Sequence, residues 1–241
     1  MLKNLKIIYE DKDIILCHKP AGTATQTKRL GQQDMESLLK NYRVKKGEAP
    51  YVGIVHRLDQ PVEGLMVFAK NQKAAAGLSK QVQQRMIGKH YYAVAARTLD
   101  IEMEAVLEDY LLTDKKANVT KVVDAEDLKK QGKEIPKEAK LAKLEYKVLE
   151  AKENKLLFDI KLHTGRQHQI RVQMANMGCP LLGDSKYGSM KSEDTNQKPT
   201  GLALCSYRLE FVHPVRGMKM DYKIIPEGEI FKDVKQTFGQ E

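Results

Sequence analysis

Two apolar runs of strand length, residues 52–55 and 65–69, flank a segment that cannot itself be a strand. It reads His56-Arg57-Leu58-Asp59-Gln60-Pro61-Val62-Glu63-Gly64. Pro61 removes a ladder donor and Gly64 frees the backbone, so the chain must leave a sheet, turn tightly and re-enter it. A carboxylate two residues from an arginine, on a loop gripped by rigid strands, suits a nucleophile or a base. The same pattern also describes an ordinary ion pair in a surface turn.

The rest of the chain follows the strand-rich pattern. Residues 6–19 predict two strands around the turn Glu10-Asp11-Lys12-Asp13, with a break at Pro20-Ala21-Gly22. Further strands are predicted over 91–96, 104–112, 118–124, 202–212 and 218–225, and a hairpin over 141–150 and 156–162 turning at Lys152-Glu153-Asn154. Helical spacing occurs in three places. Residues 35–42 put Leu38, Leu39 and Tyr42 on one face; 71–86 align Ala74, Leu78, Val82 and Met86, with Gly88 as the stop; 167–177 align Ile170, Met174 and Met177. Residues 127–140 are charged, contain Gly132 and Pro136 and lack an apolar face, which predicts an exposed loop; 188–200 predict a second, flexible one. Strands outnumber helices and are mostly joined by short turns, so the expected class is α+β with a central, largely antiparallel sheet. The expected organisation is a catalytic pattern over 1–226 and a peripheral segment over 227–241.

With 41% hydrophobic and 30% charged residues the chain is globular rather than disordered, and 241 residues fit one large domain or two halves sharing a core. A net charge of +9 favours a polyanionic partner, because neutralised phosphates release counterions. Cys17, Cys179 and Cys205 are odd in number and lack C-x-x-C spacing, which predicts three buried thiols in a reducing compartment. No stretch reaches the roughly 20 apolar residues of a membrane span and the N-terminus lacks a signal-like apolar core, so a cytoplasmic protein is expected.

Two further constellations carry chemistry. In Thr164-Gly165-Arg166-Gln167-His168-Gln169-Ile170-Arg171, Thr164 followed by Gln167 matches a capping box. Arg166 would then sit in a first helical turn, where a cation makes sense if it faces an anion. In Lys89-His90-Tyr91-Tyr92-Ala93, alternation puts Tyr91 and Tyr92 on opposite faces, one for a core and one for a cleft. His56, Asp59, His163 and His168 raise a metal site, but His163 and His168 are five apart and share no helical face, so no metal is expected. No Walker motif or G-x-G-x-x-G is present, so no nucleotide cofactor is expected.

Together these motifs resemble the RluA-type RNA pseudouridine synthases. His56-Arg57-Leu58-Asp59 with Gly64-Leu65-Met66-Val67-Phe68-Ala69-Lys70 is similar to their first signature, residues 164–171 to a second, and Pro180-Leu181-Leu182-Gly183-Asp184-Ser185-Lys186-Tyr187-Gly188 to a third. Lys19-Pro20-Ala21-Gly22 and Leu209-Glu210-Phe211-Val212-His213-Pro214 add weaker matches, all in family order over about residues 7–226. The resemblance implies cofactor-free isomerisation of uridine to pseudouridine in structured ribosomal or transfer RNA, on the family's α+β catalytic fold. It implies that Asp59 is the essential carboxylate, attacking the ribose or helping to expel the uracil. Tyr91 would stack on the base, Arg166 would pair with the aspartate, and Arg57 would enter the RNA stack as the target uridine flips out, an extrusion the chemistry requires. Ile170 would floor the site, with His56, Gln169 and Arg171 as substrate-binding members of the same signatures.

Three departures stand out: Val62-Glu63 replaces the usual Thr-Ser, and Gln167 and Gln173 replace the usual Thr and His. The catalytic pattern begins near residue 7, so the small N-terminal RNA-binding domain of many relatives is not expected, and RNA binding would rest on the catalytic domain. A monomer without an obligatory protein partner or membrane contact is expected. The alternative is a catalytically silent RNA-binding module on the same scaffold, suggested by Val62-Glu63; a metal-dependent RNA hydrolase using the histidines is a third.

Overall fold

In the computed structural model the described residues are 5–29, 31–96, 100–152, 155–188, 201–232 and 234. They form two compact units, one from the described residues of Met1–Lys89 with Cys205–Gly228, the other from those of His90–Leu204 with Glu229–Glu241. The expected turn at 153–154, the loop over 189–200 and most of the peripheral tail lie outside the described residues.

In the first unit, β1 (Lys6–Glu10) and β2 (Ile14–Lys19) form the expected hairpin. Its turn is set by Asp11, whose Oδ1 accepts from the N–H groups of Asp13 and Ile14 at 2.8 and 2.9 Å. β4 (Glu63–Ala69) runs antiparallel to β2, and β3 (Gly53–Ile54) joins β4 at its Ala69 end. β10 (Leu204–Val212) pairs in parallel with the start of β4, Cys205 opposite Glu63 and Ser206 opposite Gly64, and β11 (Lys219–Lys223) continues antiparallel from β10. Every residue of β2 and β4 is buried, which explains the apolar runs Ile14-Ile15-Leu16-Cys17 and Leu65-Met66-Val67-Phe68-Ala69 within them. One face, with Ile14, Leu16, Leu65 and Val67, packs with Ala74 and Leu78 of α2 (Gln72–Gln83) and with Leu209 and Phe211.

Gly64 allows β4 and β10 to meet. Its φ is +131°, and a Cβ there would lie 2.5 Å from the backbone N and O of Ser206. No L side chain fits that approach.

Two helix details differ from expectation. α1 (Met35–Lys45) buries Met35, Leu39 and Arg43 rather than a Leu38–Tyr42 face. The Arg43 guanidinium turns inward and donates to the carbonyls of Tyr51 and Lys70, which decides the rotation of the helix. Gly88 does not stop α2: Arg85 takes the left-handed turn (φ 56°), and Gly88 opens the next strand.

The second unit is an antiparallel sheet in the order β5 (Gly88–Ala96), β9 (Lys155–Leu162), β8 (Lys140–Lys152), β6 (Glu104–Asp114), β7 (Val119–Val123). α4 (Gln169–Asn176) lies on β6 and β7, with Val172 packed against Leu111 and Ala142. The segment expected as a loop contains a short helix, α3 (Ala125–Lys130), with no buried residue. Asp124 caps it by accepting from Asp127 N–H, and acidic residues in its first turn with lysines in its last suit the helix dipole. Pattern reading missed it because it rests on end effects rather than on an apolar stripe.

The class is α+β with a largely antiparallel sheet, as the sequence predicts, in which β4 and β10 pair in parallel. The three cysteines are free and buried, as expected. Among the described residues no helix is long and apolar enough to cross a membrane.

Candidate active site

The segment between β3 and β4 is tied to residues 20–25 at several points. Thr25 Oγ1 donates to the Leu58 carbonyl at 3.0 Å and accepts from Leu58 N–H at 3.2 Å. Gly22 N–H donates to the Gln60 carbonyl at 2.9 Å, and Gln60 Nε2 returns a bond to the Gly22 carbonyl at 3.0 Å. Val62 N–H closes the turn on the Asp59 carbonyl at 3.1 Å. Asp59 is therefore presented, half-buried, on a loop whose backbone is fixed from two sides. Arg57, two residues earlier, is exposed, and its guanidinium donates to Gln26 Oε1 at 2.8 Å.

Beneath this loop sits Lys19, with no exposed surface. Its ammonium donates to the carbonyls of Thr23 at 2.7 Å and of Pro20 and Gln60 at 3.1 Å each. Burial pulls its pKa down to about 8, against the pull of the Asp59 and Glu63 charges. Sequence reasoning gave Lys19 no role. The available signal was a lysine ending an otherwise mostly apolar strand directly before Pro20-Ala21-Gly22.

His56 Nε2 accepts from Val67 N–H at 3.1 Å, so that nitrogen carries no proton. Burial, aided by the Lys89 charge, pushes its pKa down to about 3. The unfolded chain, with a value near 6.5, therefore takes up the proton first as pH falls. This contribution to stability is complete above about pH 6.5 and erodes towards pH 3, by at most about 1.4 kcal/mol per pH unit. Urea midpoints measured across that range should fall with pH and should fall less steeply in His56→Gln, whose carbonyl can still accept from Val67. Parallel curves would refute this account.

In the second unit Tyr91 and Tyr92 are both buried, opposite Ile160 and Asp159 of β9. The expected capping box is absent. α4 begins at Gln169 after His168, which takes a left-handed conformation (φ 53°) with no side-chain cap. Thr164 Oγ1 is engaged elsewhere, accepting from Lys143 N–H at 2.8 Å and meeting Gln169 Oε1 at 2.8 Å. Arg166 thus precedes the helix rather than filling its first turn. Its N–H donates to Gln169 Oε1 at 3.0 Å and its Nε to the Leu141 carbonyl at 3.0 Å.

Gln169, Ile170 and Arg171 are all buried. Gln169 Nε2 also donates to the Lys143 carbonyl, so this side chain fixes the turn that carries Arg166. Arg171 is forked onto Asp184 through Nε and Nη2 at 2.8 and 2.7 Å, and lies over the Tyr187 ring. The Tyr187 hydroxyl meets His168 Nδ1 at 2.7 Å and accepts from Thr120 N–H at 2.9 Å. The departures Gln167 and Gln173 donate to Asn118 Oδ1 and Asp109 Oδ2.

Among the described residues, Asp11, Asp13 and His213 lie close enough to share an ion. His213 Nδ1 already accepts from the N–H groups of Val215 and Arg216, so its proton sits on Nε2, facing Asp11 at 2.9 Å. That ring offers no lone pair to a metal.

A model of the RNA pseudouridylate synthase family matches residues 13–176. A protein of Aquifex aeolicus (strain VF5) named as an uncharacterized RNA pseudouridine synthase is 35% identical over 242 residues, covering 95% of this chain and 72% of the relative. Ribosomal large subunit pseudouridine synthase D of Nitrosomonas europaea is 31% identical over 218 residues, covering 88% of this chain and 59% of that protein. Among solved structures, human RNA pseudouridylate synthase domain containing 4 aligns with a TM-score of 0.72 at 20% identity, over 91% of this chain and 87% of that one, a likeness of fold. The match over most of the chain leads to one conclusion: this chain belongs to the RNA pseudouridylate synthase family, isomerases that convert uridine to pseudouridine in RNA.

Proposed function

We propose that the chain isomerises specific uridines in structured ribosomal or transfer RNA, with Asp59 as the catalytic carboxylate. The observation that carries this reading is the double anchoring of the Asp59 loop, with Lys19 beneath it and Thr25 and Gly22 beside it. Such fixing suits a group that must meet one atom of a flipped nucleotide. The reaction is an internal rearrangement. The C1′–N1 bond breaks, the uracil turns, C1′–C5 forms, and the C5 proton leaves as N1 gains one. No redox partner or added atom is needed, so the reaction as written calls for no cofactor.

In this reading Tyr91 stacks on the uracil, Arg166 is the basic residue that the chemistry calls on, and exposed Arg57 fills the gap left in the RNA stack. His56, Gln169, Ile170 and Arg171 border the substrate, Gln169 by setting the turn that carries Arg166. The net charge of +9 supplies the attraction to phosphate. The chain acts as a monomer in the cytoplasm.

The test is pseudouridine mapping, by chemical labelling and primer extension, of RNA from cells with and without the gene. Complementation uses wild type and Asp59→Asn. A site that vanishes and returns only with the wild type names the substrate. Unchanged ribosomal and transfer RNA would overturn this reading and favour a silent RNA-binding module.

A further inference from the structure

The third signature, residues 180–188, has no part in the proposed chemistry, yet its Tyr187 is bonded to the turn that carries Arg166. That turn runs from Arg166 to Gln169. Gln169 N–H closes it on the Arg166 carbonyl at 3.2 Å, and His168 occupies its third position with φ 53° and ψ 22°. Glycine or asparagine suits such a position, because a Cβ crowds the backbone at positive φ. His168 carries that strain while its carbonyl accepts the first bond of α4, from Val172 N–H at 3.0 Å. Such a conformation persists where the surroundings over-determine it.

The fixing comes from Tyr187. Its hydroxyl meets His168 Nδ1 at 2.7 Å, and the two rings stand edge to face with centroids 5.5 Å apart. The tyrosine is itself held at three points. Its hydroxyl accepts from Thr120 N–H on β7 at 2.9 Å, its N–H donates to Asp184 Oδ1 at 3.1 Å, and the Arg171 guanidinium lies over its ring at 5.2 Å. The residues beside the pair repeat the link. Gln167 Nε2 donates to Asn118 Oδ1 at 2.5 Å, and Lys186 Nζ donates to the Asn118 carbonyl at 2.6 Å. All of these groups lie in the second unit.

We propose that Tyr187 is a positioning residue for Arg166: through its bond to His168 it holds the left-handed turn, and the turn holds the Arg166 backbone. This rests on the reading of Arg166 as a residue that acts in the reaction. Without the tyrosine hydroxyl, a histidine at this position relaxes towards negative φ and the peptide between Arg166 and α4 reorients. A misplacement of about 1 Å at an acting group costs on the order of 10²-fold in rate.

The test uses the full chain and unmodified ribosomal and transfer RNA transcripts labelled with tritium at uracil C5. Single-turnover tritium release at saturating RNA is measured, with RNA dissociation constants and melting temperatures alongside. His168→Ala loses the ring and keeps a Cβ, so its rate should fall roughly tenfold or more. His168→Gly adopts the turn without a pin and should stay within about twofold of wild type. Both leave Tyr187 and its Thr120 bond in place. Tyr187→Phe should match His168→Ala, and should add little on top of His168→Gly. RNA affinity should change little across the set, since the loss lies in the chemical step. Equal losses in His168→Ala and His168→Gly mean that the imidazole itself serves the reaction, which overturns the proposal. A lower melting temperature with an unchanged rate overturns it, as does an equal fall from Tyr187→Phe in both backgrounds. Release by Arg166→Met at the wild-type rate, or none by the wild type, is a distinct result: it removes the reading of the site, and the positioning role with it.

Discussion

Asp59→Asn should abolish pseudouridine formation, lowering the single-turnover rate by on the order of 10⁴-fold or more, the scale seen when a reacting side chain is removed. The substitution is nearly isosteric. The turn closes on the Asp59 main-chain carbonyl, and the ties to Thr25 and Gly22 use other residues, so the loop should persist. What disappears is an anion that can attack or stabilise a ribose carbon. RNA affinity should hold or improve, because a negative charge near phosphates is gone. The assay is tritium release from RNA labelled at uracil C5, with filter binding alongside. Full turnover by the variant would remove Asp59 from the chemistry. Equal loss of binding and turnover would make it a structural residue instead.

Replacing Arg171 by Met should destabilise the protein by about 3–5 kcal/mol, the cost of leaving a buried charge without its partner. Asp184 is 2% exposed and, besides Arg171, accepts from the N–H groups of Lys186 and Tyr187. Burial works against its ionised form, but the Arg171 bonds and these N–H groups outweigh it and hold its pKa below the usual 3.8. Its share of stability is therefore present above about pH 4 and is lost as pH falls through the lower folded value. Asp184→Leu should cost a similar amount, and the double variant Arg171→Met/Asp184→Leu markedly less than the sum. Urea unfolding of the four proteins completes the cycle. Single losses under about 1 kcal/mol would mean that the pair is screened or replaced.

The strand pattern was legible because two-sided burial writes itself as apolar runs. Residues 14–19 and 63–69 are buried throughout, and the prediction of strands there followed from Ile14-Ile15-Leu16-Cys17 and Leu65-Met66-Val67-Phe68-Ala69. The failures share one cause. α3 rests on a cap and a dipole, α1 is rotated by an inward arginine, and Thr164 is drawn away from a capping role by Lys143 and Gln169. Each depends on a partner distant in sequence or on end effects that periodicity does not carry.

By itself the sequence determined the α+β class, the loop bearing Asp59 between two strands, and a family resemblance borne by motifs in order. Those features are local: a proline, a glycine, alternating burial, and adjacent residues of fixed chemistry. Only the tertiary structure decided which groups meet Lys19 and Glu63, since a charged residue in an apolar run reads from sequence as an edge or an error. Its acceptability depends on three carbonyls spread over 41 positions and on two backbone N–H groups more than 160 residues away. Burial makes a charge costly unless it is met from elsewhere in the chain, and only the folded protein brings those partners together.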